Sequence, residues 1–259
     1  KNGPSTLTED AVERVKKFFT EPEYKSFDNL ATQANLDSQN KENPAFGNWL
    51  QRNTVAHRVA GYRIVNLSLK STGYAPGDIT DVQLEAVADL ADKYSFGELR
   101  STHQQNLVLA DVEQDALFSL WEELVDLKLA TPNIGYLTDM ICCPGGDYCA
   151  LANAKSIPIA EAIQDRFDNL DYIYDLGPLD LNISGCMNAC GHHHIGHIGV
   201  LGVDKKGKEF YQVSLGGNSD KDASIGKILG PSFEQDAMPD VIENILNTFL
   251  EQRTGEETF

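Results

Sequence analysis

From Tyr62 to Leu69 apolar and polar positions alternate, with Val65, Leu67 and Leu69 on one face against Asn66 and Ser68 on the other, which predicts a strand. Asp81 to Tyr94 follows a different rhythm. Val82, Val87, Leu90 and Ala91 recur at helical spacing after the cap candidates Asp78 and Thr80. Glu98–Thr102 and Asn106–Val112 read as a hairpin around His103, Gln104 and Gln105, and Asp115–Leu127 carries Leu117, Leu120, Trp121, Leu124 and Val125 as a second helix. The order β-α-β-β-α is most of a ferredoxin-like sandwich, a layered α+β arrangement.

The flanks read less sharply. Thr8–Phe19 puts Val12, Val15, Phe18 and Phe19 on one side, with acids early and lysines late, and predicts a short amphipathic helix. Glu21–Asn43 is polar with little periodicity and is expected to be a linker or a wrapping arm. Beyond Thr131 the sequence predicts a helix opening at Tyr148–Lys155, another with Pro158 at its first turn, and a strand at Leu179–Ser184. A hairpin of Ile198–Val203 and Glu209–Leu215 and a closing helix at Pro239–Arg253 complete it. The organisation expected is a helix and linker arm over residues 1–45, the α+β module over 46–130 and a further domain over 131–259, with no internal repeat.

All five cysteines fall between Cys142 and Cys190, and four form two spaced pairs, Cys143 with Cys149 and Cys186 with Cys190. Iron prefers thiolate, and four thiolates complete a cubane of four irons. Glycines flank the second pair and let backbone approach a bulky inorganic group. A structural zinc site is the first alternative; its cysteine pairs are usually separated by about two to four residues, fewer than lie between Cys143 and Cys149. Disulfides are the second, and they need an oxidising compartment that no signal peptide or long apolar segment announces. Cys142, adjacent to Cys143, reads as a small buried hydrophobe.

Cys143-Pro-Gly-Gly-Asp-Tyr-Cys-Ala-Leu-Ala152, followed by Gly185-Cys-Met-Asn-Ala-Cys-Gly-His-His-His-Ile-Gly-His-Ile-Gly199, resembles the cluster region of the sirohaem-dependent sulfite and nitrite reductases. Leu99-Arg-Ser-Thr-His-Gln-Gln-Asn-Leu107 is similar to the repeated strand-turn-strand motif of the same enzymes. The resemblance covers roughly residues 50 to 250 in the family's motif order. It implies a ferredoxin-like module followed by an α/β domain carrying a 4Fe-4S cluster and sirohaem, with the Cys190 sulfur shared between cluster and haem iron. It further implies reduction of sulfite to sulfide by six electrons, or of nitrite, with a ferredoxin or a flavoprotein as donor. The Cys143 form leans the reading toward assimilatory sulfite reduction. A helix N-terminus near such a cluster stabilises added negative charge.

Charge changes the picture at this point. Thirty-nine acidic residues against 21 basic ones give a net charge of −18. A tetrapyrrole rich in carboxylates and an anionic substrate both need a cationic pocket. The resemblance is to the second half of proteins about twice this long, so a missing N-terminal half is expected to supply that charge. A naturally short, single-half reductase is one alternative; a simple iron-sulfur electron carrier, or a fragment without turnover of its own, is another. The protein is expected to be cytoplasmic, with neither nucleic acid nor membrane as partner.

The remaining polar residues have two readings each. Asn188, between two thiols, lies by resemblance against the macrocycle; as a plain turn residue it caps the following segment. Gln105 and Arg100 are candidates to contact haem carboxylates, or are solvated hairpin residues. The histidines from His192 to His197 are expected to hydrogen-bond sulfur or haem carboxylate, or to pack the strand entry, not to ligate iron. Arg58, Arg63 and Arg100 are the local cations of the module, and no residue of the chain is taken as catalytic.

Overall fold

A computed structural model describes residues 3, 6–19, 21–27, 29–255 and 257–259. Its first sheet has the order β1-β2-β4-β3, from β1 (Thr54–Ala56), β2 (Tyr62–Leu67), β3 (Leu99–Ser101) and β4 (Leu107–Glu113), all neighbours antiparallel. Strands β2 and β3 therefore run the same way with β4 between them, the split β-α-β arrangement of a ferredoxin-like module. The edge position beside β2 belongs to β1, a strand the alternation pattern did not single out because it spans only three residues. Val65 and Leu67 of β2 and Leu109 of β4 face the helices, burying Val87 and Leu90 of α4 (Asp81–Tyr94) and Leu117, Leu120 and Leu124 of α5 (Leu117–Asp126) in one core. Thr80 starts α4 through a reciprocal cap with Gln83.

The N-terminal flank departs from expectation. Helix α1 (Glu9–Lys16) forms with Thr8 as its cap, yet it buries none of its residues, and Phe18 and Phe19 beyond it stay exposed. Glu21–Phe27 is an extended arm, held where Tyr24 Oη donates to Asp111 Oδ1 at 2.7 Å and Lys25 N donates to Tyr62 Oη at 3.1 Å. The rest of the expected linker is helical, as α2 (Asn29–Glu42), followed by α3 (Pro44–Asn53). Tertiary packing accounts for the difference: Leu36 of α2 and Phe46 and Trp49 of α3 complete the module's core despite weak periodicity.

The second sheet has the order β5-β6-β7-β8-β9, from β5 (Ile141–Cys142), β6 (Leu181–Ser184), β7 (Ile198–Lys205), β8 (Lys208–Leu215) and β9 (Lys227–Ile228). β5, β6 and β7 are parallel, whereas β7, β8 and β9 pair antiparallel. Its core gathers Ile183, Val200 and Val213 against Ile159 and Ile163 of α6 (Ile157–Arg166), Ile173 of α7 (Leu170–Leu176) and Ile242 and Leu246 of α8 (Met238–Gln252). The closing helix and the β7–β8 hairpin match the sequence expectation; α7, β5 and β9 are additions.

A buried polar joint connects the two cores. Lys70 Nζ donates to Gln104 O at 2.5 Å and lies 3.4 Å from Asp139 Oδ1, with side chains 0% and 3% exposed. Asp139 also accepts from Asn106 Nδ2 (2.7 Å) and Gly135 N (2.9 Å), while Ser68 Oγ donates to Asn133 Oδ1 (2.8 Å). Burial drives the Lys70 ammonium down and the Asp139 carboxyl up, and their mutual attraction opposes both shifts. No described helix is long and apolar enough to cross a membrane.

Candidate metal centre

Parallel pairing sets Cys142 opposite Ile183, so Cys143 leaves β5 as the chain leaves β6 toward Gly185 and Cys186. Cys143 N donates to Ile183 O at 3.0 Å, and Gly185 N donates to Cys143 Sγ at 3.0 Å. A backbone N–H aimed at sulfur favours negative charge there. The first loop then doubles back onto the second, with Asn153 N and Ala154 N both donating to Gly185 O at 2.8 and 3.0 Å. A Cβ on Gly185 would come within 2.7 Å of both Ala154 O and Gly145 Cα, so the contact requires glycine.

This folding corrects the expected helix at Tyr148–Lys155. Those residues form turns, because Asn153 and Ala154 bond across to Gly185 instead of back along their own segment. The next helix does begin with Pro158 in its first turn.

β6 and β7 are parallel neighbours, and the crossover between them is usually a helix. Here residues 185–197 make it without one, carrying Cys186, Cys190 and the histidines. Gly191 N donates to Ser184 Oγ at 3.1 Å, and a Cβ on Gly191 would come within 2.0 Å of Ile183 O, so the segment lies directly on the end of β6. Cys143 and Cys186 are buried, Cys149 is half-buried and Cys190 is exposed; all are free thiols. Cys142 is buried with its thiol donating to Cys143 O at 3.3 Å, and burial pushes that thiol up.

Among the described residues, no three His, Cys, Asp or Glu side chains converge closely enough to hold a single ion. The four-thiol donor set, the glycine contacts and the N–H on Cys143 Sγ fit an iron-sulfur cluster. A tetrapyrrole is served in part: the Cys190 thiol is exposed, as are the apolar Tyr148, Leu151 and Met187. The neighbouring cleft, about 440 Å³, is lined by His103, Asp139, Asp180, Asn182, His192 and Asp220 among others and by no Lys or Arg, so it offers no cation to a carboxylate-rich ring.

The other candidate residues fall apart spatially. Gln105 sits at positive φ (57°) in the hairpin turn, and both ends of its amide are engaged by Cys142: Nε2 donates to Cys142 O at 2.9 Å and Oε1 accepts from Cys142 N at 2.8 Å. In this structure it ties the hairpin to β5 instead of reaching outward. Arg100 is exposed and paired with Glu98 at 2.5 Å, on the side of the module where Phe18, Arg58 and Asp111 also lie. Asn188 is exposed within the Cys186–Cys190 turn.

His197 Nδ1 accepts from Asp180 N at 2.9 Å and so packs the entry to β7. His193 is buried with neither ring nitrogen partnered among the described residues, and burial, aided by His194, pulls it down to about 4. Nothing in the local sequence signals this isolation, nor the position of Ser156, whose hydroxyl lies 3.6 Å from Cys143 Sγ.

Comparison with known proteins bears on both parts of the chain. Residues 61–127 match the nitrite/sulfite reductase ferredoxin-like half domain, and residues 136–258 match the nitrite and sulphite reductase 4Fe-4S domain. The chain belongs to the nitrite/sulfite reductase family. As a member of this family of oxidoreductases it is 29% identical over 219 residues to a ferredoxin sulfite reductase of Mycolicibacterium paratuberculosis, covering 79% of this chain and 39% of that protein. It is also 29% identical over 191 residues to the assimilatory ferredoxin-dependent nitrite reductase of Haloferax mediterranei, covering 71% and 32%. The solved structure of the Mycobacterium tuberculosis NirA protein superposes with a TM-score of 0.66 at 28% identity, over 78% of this chain and 38% of that one. This family member thus spans about two fifths or less of the length of these curated relatives.

Proposed function

We propose that this chain is the cluster-bearing half of an assimilatory sulfite reductase, holding a 4Fe-4S cluster through Cys143, Cys149, Cys186 and Cys190, with Cys190 shared with sirohaem. The observation that carries the reading is the meeting of two cysteine loops at the ends of β5 and β6, fastened by Gly185 N on Cys143 Sγ and by Gly185 O on Asn153 and Ala154. When bound, the cluster and the tetrapyrrole supply the redox chemistry that takes sulfite to sulfide.

The chain's own residues bind and orient. Cys143 and Cys186 would hold the buried side of a cluster, away from water, and the exposed Cys190 would be the thiolate left open to a second group. Gln105 fixes the β5 end of the cradle against the hairpin through Cys142. With a net charge of −18 and no cation in the adjoining cleft, substrate and haem carboxylates depend on side chains from the remainder of the protein. Relatives with names of both kinds make nitrite the second reading, and ferredoxin, in the names of both curated relatives, is the donor expected here.

The test is an anaerobic assay of the full-length protein with sulfite and nitrite under one reductant, alongside its visible spectrum and iron content. Faster turnover of sulfite, with tetrapyrrole bands and more iron than haem, is expected. A protein with a cluster and no tetrapyrrole bands would be an electron carrier, and faster nitrite turnover would reverse the substrate assignment.

A further inference from the structure

Ser156 precedes α6 in the position where a serine ordinarily turns its hydroxyl onto the free N–H groups of the first helical turn. It makes no such bond. The residue is fully buried, and its Oγ sits 3.6 Å from Cys143 Sγ. The pocket is built tightly around that hydroxyl: a Cβ on Gly145 would come within 2.6 Å of it, and one on Gly185 within 3.0 Å. With a free thiol either atom can be the donor. A metal-bound thiolate has no proton, so the hydroxyl must then donate.

We propose that Ser156 is a positioning residue that donates an O–H···S hydrogen bond to the Cys143 thiolate and thereby raises the reduction potential of the bound cluster. The inference rests on the cluster assignment above. One electron entering the cluster adds one negative charge, part of which resides on the cysteine sulfurs. A donor already aimed at that sulfur favours the reduced form more than the oxidised one, and the proton stays on Ser156 throughout. Gly185 N approaches the same sulfur, so Cys143 carries two donors and becomes the most strongly hydrogen-bonded corner of the cradle.

The experiment uses full-length holoprotein and an EPR-monitored titration of the cluster with dithionite. Ser156→Ala is expected to shift the ratio of reduced to oxidised cluster about fivefold toward oxidised at fixed potential, a negative shift of about 40 mV for one electron. Ser156→Thr, which keeps the hydroxyl, should hold the wild-type potential. An Ala variant with full iron content and an unchanged potential overturns the proposal, and so does a Thr variant shifted as far as Ala, because packing would then be the cause.

If the Ala variant does not fold, Ser156→Gly, which also deletes the hydroxyl, takes its place with the same expected shift. In the wild-type protein a cysteine Fe–S resonance Raman stretch indifferent to D2O refutes the bond, since the Gly185 amide and the Ser156 hydroxyl both exchange. A wild-type protein that binds no iron at all sinks the cluster assignment first, an outcome distinguished by iron analysis alone.

Discussion

The Lys70–Asp139 pair offers the sharpest test of how the two cores are joined. At 3.4 Å, an effective dielectric of about 20 gives an attraction of about 5 kcal/mol. Neither charge touches water, so removing one leaves the other buried and unmatched, which costs about 3–5 kcal/mol. Asp139→Asn and Lys70→Met should each cost that much, a large share of a stability that is typically about 5–15 kcal/mol. The double variant should cost far less than the sum, because no buried charge remains. Its residual loss, about 1 kcal/mol, arises because the substituted amide keeps a single acceptor oxygen to face the donors of both Asn106 and Gly135. Urea unfolding of all four proteins at pH 7, read by fluorescence and circular dichroism, measures the coupling. Losses that simply add would refute the claim that the two residues act as one buried unit.

Two further outcomes follow from the site. Gly185→Ala forces a Cβ to within 2.7 Å of backbone on the facing loop, so the cysteine loops must separate; iron content should fall sharply, with about 1–3 kcal/mol lost in stability, and full iron loading would contradict the cradle as described. His193, held down to about 4 by burial, contributes a stability that is complete above its unfolded pKa near 6.5 and lost as pH falls toward 4. His193→Leu should flatten that pH dependence without lowering Tm at pH 7, and a variant that keeps the wild-type profile would assign the titration elsewhere.

The long elements were legible where periodicity and burial coincide: Val65, Leu67 and Leu69 are buried, as are Val87, Leu90 and Ala91 of α4, whereas Val82 at the start of that helix is exposed and β4 is buried on both faces without alternation. Helix α2 escaped because Leu36 is the one buried position among its described side chains and gives no visible stripe. The false helix after Cys149 arose from helix-forming residues whose N–H groups find acceptors on another loop, a long-range fact absent from local sequence. At the site, residue type pointed to the thiols as candidates, while the partners of Gln105 and Ser156 were hidden. Gln105 meets Cys142 across the joint between the two sheets, and Ser156 meets Cys143 only because the loop between them folds back through Gly146 N on Ala154 O, and neither approach is written in local sequence.

The four thiols also differ in how far each lies from solvent, and that gradient sets an order of events. Anything that arrives from outside the apoprotein meets Cys190 first, then Cys149, and Cys143 and Cys186 last. Iron delivery, alkylation and oxidation all approach from that direction. If the proposed ligand set holds, the exposure that would open Cys190 to a second cofactor would also put it first within reach of oxygen before any cofactor is in place, so assembly of such a centre would be decided at one sulfur.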